Sequence, residues 1–240
     1  MGNDLDARLD QVAALGEPVR RALYCFVAAQ PEPVTREQAA AGVGVAQHTA
    51  KFHLDRLVDG RLLEASYRRP PGRGGPGAGR PAKVYRRSDT DLDISLPERR
   101  YDHAGRLLVK AVAQAERAGS PVSDALQSVA TQAGRSAGTR AASNLGWRAP
   151  QEAVEAEVFD ALTADGYEPR RDGDGITLAN CPFHALAREA TELVCGMNRA
   201  YLAGVLDGIG ATTLDAKLDP ARGRCCVRLE KRRPPTSHRR

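Results

Sequence analysis

The chain has no run of eighteen apolar residues, which excludes a helix that crosses a bilayer. Its first residues, "MGNDLDARLDQ", are acidic and amphipathic and lack the basic, apolar, small-residue order of a signal peptide. "MGNDLD" also fails as a myristoylation signal, because Asp6 stands where Ser or Thr is needed. A cytoplasmic protein is expected. Cysteine is scarce over the first 180 residues, where Cys25 stands alone; Cys181, Cys195, Cys225 and Cys226 then follow within 46 residues. Five cysteines in a chain of 240 residues make no disulfide framework. In a reducing compartment such a cluster points to metal or redox chemistry. Nucleotide-loop chemistry is missing as well: no Gly-Lys-Ser/Thr follows "GRGGPGAGR". With no paired general base either, an enzyme is not expected.

Charge is present, and it is placed unevenly. Residues 1–60 carry net −2, residues 61–87 net +7 with Glu64 the one acid among them, residues 88–227 net −5, and Arg228–Arg240 net +5. Charge concentrated in one loop region and one tail is the footprint of a polyanion contact. The loop lies in "SYRRPPGRGGPGAGRPAKVYRR", residues 66–87, and offers no large apolar side chain between Pro70 and Arg80. Such a segment cannot pack a core.

Periodicity shows what flanks it. Leu5, Leu9, Val12 and Ala13 recur at helical spacing, and a second helix starts after Gly16 with Pro18 in its first turn. That helix runs through Val19, Leu23, Cys25, Phe26 and Val27, with Cys25 expected in the core, and "QPEP" ends it. Thr35 and Gln38 form a capping-box pattern opening a short helix over "REQAAAG", and Gly42 to Gly44 reads as a tight turn. A longer helix follows, with Ala50, Leu54, Leu57 and Val58 on its apolar side and Gly60 at its C-cap. This is a helix-turn-helix pattern. "RLLEASYRR" and "AKVYRR" then read as two strands joined by the Pro/Gly loop, a wing whose arginines reach sugar–phosphate.

"ALGEPVRRALYCFVA", "TAKFHLDRLVDGRLLE" and "GRPAKVYRR" resemble the winged helix-turn-helix repressors of the ArsR-like superfamily, over residues 10 to 88. The resemblance implies a homodimer on a pseudo-palindromic double-stranded DNA operator. N-terminal residues of a recognition helix reach base edges, which nominates Gln47, His48, Thr49 and Lys51. Gln47 suits adenine and Lys51 guanine, whereas His48 and Thr49 are readers or phosphate contacts. His53 borders the apolar side and reads as packed. Arg56, Arg68, Arg73, Arg80 and Lys83 are phosphate candidates.

Beyond residue 88 the composition changes. Residues 97–145 read as a helical linker and dimerisation region, residues 150–231 as a sensor domain, and residues 232–240 as a basic disordered tail. The sensor domain reads as a helix, a hairpin around "DGDG", one long helix from "CPFH" to "DGIG", and two closing strands. The expected fold class is α+β: a winged helix-turn-helix, a helical linker, and an α/β sensor domain with an antiparallel sheet.

Thiolates are soft ligands for zinc or an iron–sulfur cluster. Cys181 and His184 are close enough for one centre. Cys195 stands eleven residues after His184, about 16 Å along a continuous helix. Either the helix breaks between them or His184 is not a ligand. In "RCCVRL", read as a strand, Cys225 shares the apolar face with Val227 and Leu229, leaving Cys226 as a spare thiol on the other face. "CPFHALAREATELVC" with the terminal "RCCVRL" resembles the sensor domain of SufR-type iron–sulfur repressors. That resemblance implies a cluster governing operator binding, with Cys181, Cys195 and Cys225 on the ligand positions. The family's further cysteine has no counterpart in "TTLDAKLDPARG", so Cys226 or His184 completes the set.

The leading expectation is a transcriptional regulator, of repressor type, controlled by an iron–sulfur cluster or a metal ion. The alternative is a winged-helix regulator sensing a small organic ligand, with a structural zinc or no metal. A thiol switch using Cys225–Cys226 ranks third, because adjacent cysteines form only strained disulfides.

Overall fold

The structure, a computed structural model, describes residues 2–68, 81–146 and 148–232. Arg73, Arg80 and the tail beyond Arg232 lie outside the described residues. The chain divides into two units, Met1–Ile94 and Ser95–Arg240.

In the first unit, α1 (Gly2–Gly16) precedes α2 (Pro18–Ala28). Glu17 caps α2: its carboxylate accepts from Val19 N at 3.1 Å and Arg20 N at 2.6 Å. Pro18 takes a first-turn position where its missing N–H costs nothing. Strand β1 (Val34–Thr35) leads into α3 (Arg36–Val43) through the expected capping box. Thr35 Oγ1 accepts from Gln38 N at 3.2 Å, and Gln38 Oε1 accepts from Thr35 N at 2.8 Å. Gly44, at φ 74°, ends α3 in the left-handed region. Gly42 is not part of the turn: it lies inside α3, where a Cβ would come within 2.0 Å of the Phe26 ring. Recognition helix α4 (Gln47–Asp59) follows.

β2 (Leu63–Arg68) and β3 (Ala82–Arg87) pair antiparallel over their full lengths, from Leu63↔Arg87 to Arg68↔Ala82. β1 adds a third strand beside β3. Two residues are too few to leave a periodic signal, and the sequence reading lacked this strand. Leu23 and Val27 of α2, Leu54 and Leu57 of α4, Leu63 and Tyr85 close the core. Truncating Leu54 to Ala costs about 2–5 kcal/mol. Two expectations change. Cys25 is exposed, because the buried stripe of α2 runs from Leu23 to Val27 and Cys25 falls between its turns. Leu5, Leu9 and Val12 face solvent, and only Ala14 and Leu15 of α1 pack on the core.

The second unit contains α5 (Tyr101–Ala118), α6 (Val122–Ala141), α7 (Gln151–Ala164), α8 (His184–Glu189) and α9 (Thr191–Ile209). Its strands are β4 (Pro169–Asp172), β5 (Gly175–Leu178), β6 (Leu214–Leu218) and β7 (Val227–Lys231), in the antiparallel order β4-β5-β7-β6. Alternation along β7 places Val227 and Leu229 in the core, while Arg228 and Glu230 bond outward to Asp172 and Lys217. The segment expected as a separate linker is not separate here. Leu107 and Ala111 of α5 and Leu126 and Ala130 of α6 share one core with Leu202, Val205 and the sheet.

The contact between α6 and α9 is made by backbone. A Cβ on Gly134 would stand 2.0 Å from Tyr201 O, and one on Gly138 2.2 Å from Val205 O. Gly204 and Gly208 meet the carbonyls of Thr131 and Arg135 in the same way, each at 2.2 Å. Two glycine pairs at i, i+4, in "GRSAG" and "GVLDG", thus let the helices approach as side chains would not permit.

Candidate nucleic-acid interface and cysteine site

The N-terminus of α4 has no side-chain cap and no acidic residue in its first turn. Its first N–H groups and the positive end of the helix dipole are therefore open to phosphate. Gln47, His48, Lys51 and Arg56 are exposed, and Thr49 is half-buried beside Ala50. The structure adds Phe52, which is 56% exposed, with the Arg56 guanidinium 5.7 Å above its ring. Phe52 stands two residues, about 200° of helix, from the buried Ala50. An aromatic off the apolar stripe was the signal for it in the sequence. On a recognition helix it suits a thymine methyl or deoxyribose.

His53 is packed as expected, its side chain 12% exposed, with Nδ1 3.4 Å from Glu17 Oε2. That pair is close but not aligned as a hydrogen bond. Two expected phosphate contacts have protein partners. Lys83 Nζ donates to Asp55 Oδ1 at 2.7 Å, and that hydrogen bond holds its ammonium above the usual lysine range. Arg68 donates to Glu32 at 3.1 Å in an exposed pair, which a phosphate competes with easily because such pairs contribute little.

In the second unit three segments converge on sulfur. Cys181 stands in the turn after β5, Cys195 on α9, and Cys225 and Cys226 in the residues leading into β7. The helix expected to run unbroken from "CPFH" breaks at Ala190 (φ −141°, ψ 71°) into α8 and α9. The closing strand starts at Val227, after both cysteines. Cys226, expected as the spare, is bonded to Cys195 as a disulfide. Cys225 is buried, and its thiol donates to the Cys181 sulfur. His184 is exposed on α8 and bonds to no sulfur among the described residues.

The surroundings of the Cys181–Cys225 pair are built for sulfur. The Cys225 donation, the Phe183 N–H and the nearby Arg99 bring the Cys181 thiol down to about 7, against the opposing effect of burial. The same bond to Cys181, together with burial, pushes the Cys225 thiol strongly up. Asn198, 1% exposed, donates through Nδ2 to Cys225 Sγ at 3.2 Å. Its Oδ1 accepts from the buried Tyr167 hydroxyl. Arg99 donates to Asn180 Oδ1 and to Cys181 O, and Asn180 Nδ2 donates to Glu98 O and Gly166 O. The turn bearing Cys181 is pinned from both sides.

With Cys195 and Cys226 joined, two thiols remain. Among the described residues no three of His, Cys, Asp and Glu are grouped to hold a metal ion. A disulfide sulfur is not a thiolate ligand, so only the reduced chain has the thiolates that a soft centre would require. It offers four sulfurs from three segments, with amide donors already aimed at two of them.

Among the described residues no helix is long and apolar enough to cross a membrane. No curated protein matches the chain, and no solved structure does. One family model matches, described as a helix-turn-helix domain, over residues 15–65. The match spans α2, β1, α3, α4 and the start of β2, and stops short of every cysteine in the second unit. With the winged sheet around it, that stretch supports a DNA-binding regulator of the winged helix-turn-helix type.

Proposed function

We propose that the chain is a cytoplasmic transcriptional regulator that catalyses no reaction and binds operator DNA as a homodimer. In this reading its second unit senses an iron–sulfur cluster or a metal ion. The observation that carries it is α4, a recognition helix with an uncapped, acid-free N-terminus and four exposed polar or basic side chains. Gln47 and Lys51 read bases, Arg56 and the wing arginines hold phosphate, and Phe52 contacts sugar or methyl groups. The solvent-facing stripe of Leu5, Leu9 and Val12 on α1 supports a second copy as partner.

Cys181, Cys195, Cys225 and Cys226 are the proposed ligands, and His184 drops from the set because its side chain is exposed on α8. A cluster or zinc bound there supplies a cross-link between the Cys181 turn, α9 and β7 that responds to metal supply or oxidation. The chain's own part is to orient the donors: Asn198 and Tyr167 fix Cys225, and Arg99 and Asn180 fix the Cys181 turn. A switch of operator affinity then requires that DNA binds the two states unequally.

The Cys195–Cys226 bond favours a second reading, a thiol switch at the same place. Two thiols lose two protons and two electrons to an oxidant such as a peroxide and form the disulfide. Anaerobic purification with metal, sulfide and absorption analysis, on wild type and Cys181→Ala, separates the readings. Iron with sulfide, lost in the variant, supports the cluster, and zinc alone supports a metal-ion site. A metal-free protein whose DNA affinity responds to peroxide, and loses that response in Cys226→Ser, supports the thiol switch. A protein with neither metal nor redox response removes the sulfur site from the regulatory account.

A further inference from the structure

Between α5 and α6, lined by none of the cysteines, lies a cavity of about 700 Å³, within the size range of small-organic-molecule sites. Its lining is divided by chemistry. Lys110, Arg117 and Arg140 are exposed at its mouth, Ala113 and Ala133 form apolar wall, and His103 closes its buried end beside Tyr201. No acidic residue lines it among the described residues. None of the three cations makes a side-chain hydrogen bond or ion pair within the described chain.

The buried end carries an unmet demand. His103 Nε2 is shielded from solvent and has no hydrogen-bond partner, an omission that is unfavourable for a buried polar atom. The ring packs between Phe183, stacked at 6.4 Å, and Tyr201, edge-on at 5.0 Å. Asp165 and Asp102 are the carboxylates felt at this end, and Asp165 accepts the Tyr201 hydroxyl at 2.7 Å. A ligand's negative charge therefore belongs at the mouth, and an apolar body with a hydrogen-bonding group belongs toward His103.

We propose that this cavity binds an amphipathic organic anion, its acidic head held by Lys110, Arg117 and Arg140 and its body lying against Ala113 and Ala133 toward His103. The site is independent of whatever the cysteines hold. It is nonetheless adjacent to them: His103 stacks on Phe183, whose backbone N–H serves the Cys181 sulfur.

The test is isothermal titration calorimetry of the full-length protein with decanoate, kept below its micelle concentration. Decyltrimethylammonium, with the same chain length and opposite charge, is the control. Saturable binding of one decanoate per chain and none of the cation is expected. Arg117→Glu combined with Arg140→Glu reverses exposed mouth charges and weakens decanoate binding at least tenfold, with circular dichroism and thermal midpoint unchanged. Ala133→Trp keeps the charges, fills the wall and abolishes binding. Absence of decanoate binding, equal binding of the two amphiphiles, or an affinity within twofold of wild type in either variant overturns the proposal.

Discussion

The two units place their chemistry on opposite sides of their cores. In the first, Gln47, His48, Lys51, Phe52 and Arg56, the proposed DNA-contacting side chains, stand in solvent on a helix anchored by Ala50, Leu54 and Leu57. In the second, Cys225 and Asn198 are 1% exposed and belong to the packing of the unit. An exposed reader can be exchanged with little effect on folding, so recognition and stability are separable. A buried sulfur site cannot be changed without touching the fold. Under the proposed function, regulation through it would act on the same interactions that hold the unit together.

The strongest way to break this contrast is at the α6–α9 contact. Gly134→Ala forces a methyl group against the Tyr201 carbonyl, and overpacking against backbone costs about 3 kcal/mol. Calorimetry is expected to show the transition of the second unit falling by roughly 10 °C, with that of the first unit unmoved. Equal loss in both transitions would mean that the units fold as one.

Asn198→Ala comes next. It leaves the Tyr167 hydroxyl without an acceptor and Cys225 without its amide donor, a loss of about 1–3 kcal/mol. Asn198→Asp keeps an acceptor for Tyr167 but sets a carboxylate against sulfur. It should impair cysteine alkylation and metal retention more than Asn198→Ala relative to its cost in stability. Identical alkylation and metal content in the two variants would reduce Asn198 to a packing residue.

On the exposed side, Lys51→Ala is expected to weaken DNA binding by about 1–3 kcal/mol through one operator position, with no change in thermal midpoint. Phe52→Ala should weaken it less. A uniform loss across all sequences for Lys51→Ala would make it a phosphate contact instead. The smallest effect is set by pH. Burial holds the His103 imidazole below its ordinary value of 6.5, so the unfolded chain takes the proton first. Stability present above about 6.5 is lost as pH falls toward the lower folded value. His103→Gln should flatten that slope in the second unit alone.

Much of the first unit was legible because local rules and tertiary structure agree there. Thr35 and Gln38 announce a cap that forms, Ala50, Leu54 and Leu57 announce a stripe that is buried, and the two expected strands pair as β2 and β3. Phe52 was legible as an apolar residue off its stripe, and was passed over. The second unit hides more. The break at Ala190 has neither proline nor glycine to mark it. The cysteines of "RCCVRL" precede the strand, yet Cys225 shares the core with Val227 and Leu229 as alternation led one to expect, while Cys226 is only partly buried. The pairing of Cys195 with Cys226 is a tertiary fact, 31 residues apart. Gly134, Gly138, Gly204 and Gly208 looked like helix-weakening residues, and their purpose becomes visible only when two helices are set side by side.

Those four positions also bear on descent. Where the nearest neighbour is a carbonyl of another helix, hydrogen is the only side chain that fits, and a substitution on one helix cannot be offset by trimming a side chain on the other. Ligand chemistry can drift, and a lineage can lose its thiols when its signal changes. The spacing of small residues at i, i+4 on two helices, the pairs seventy residues apart in sequence, cannot drift without losing the architecture. Kin of this unit that sense something other than sulfur chemistry should therefore still carry that spacing, and a search keyed to it would reach relatives that a search for cysteines would miss.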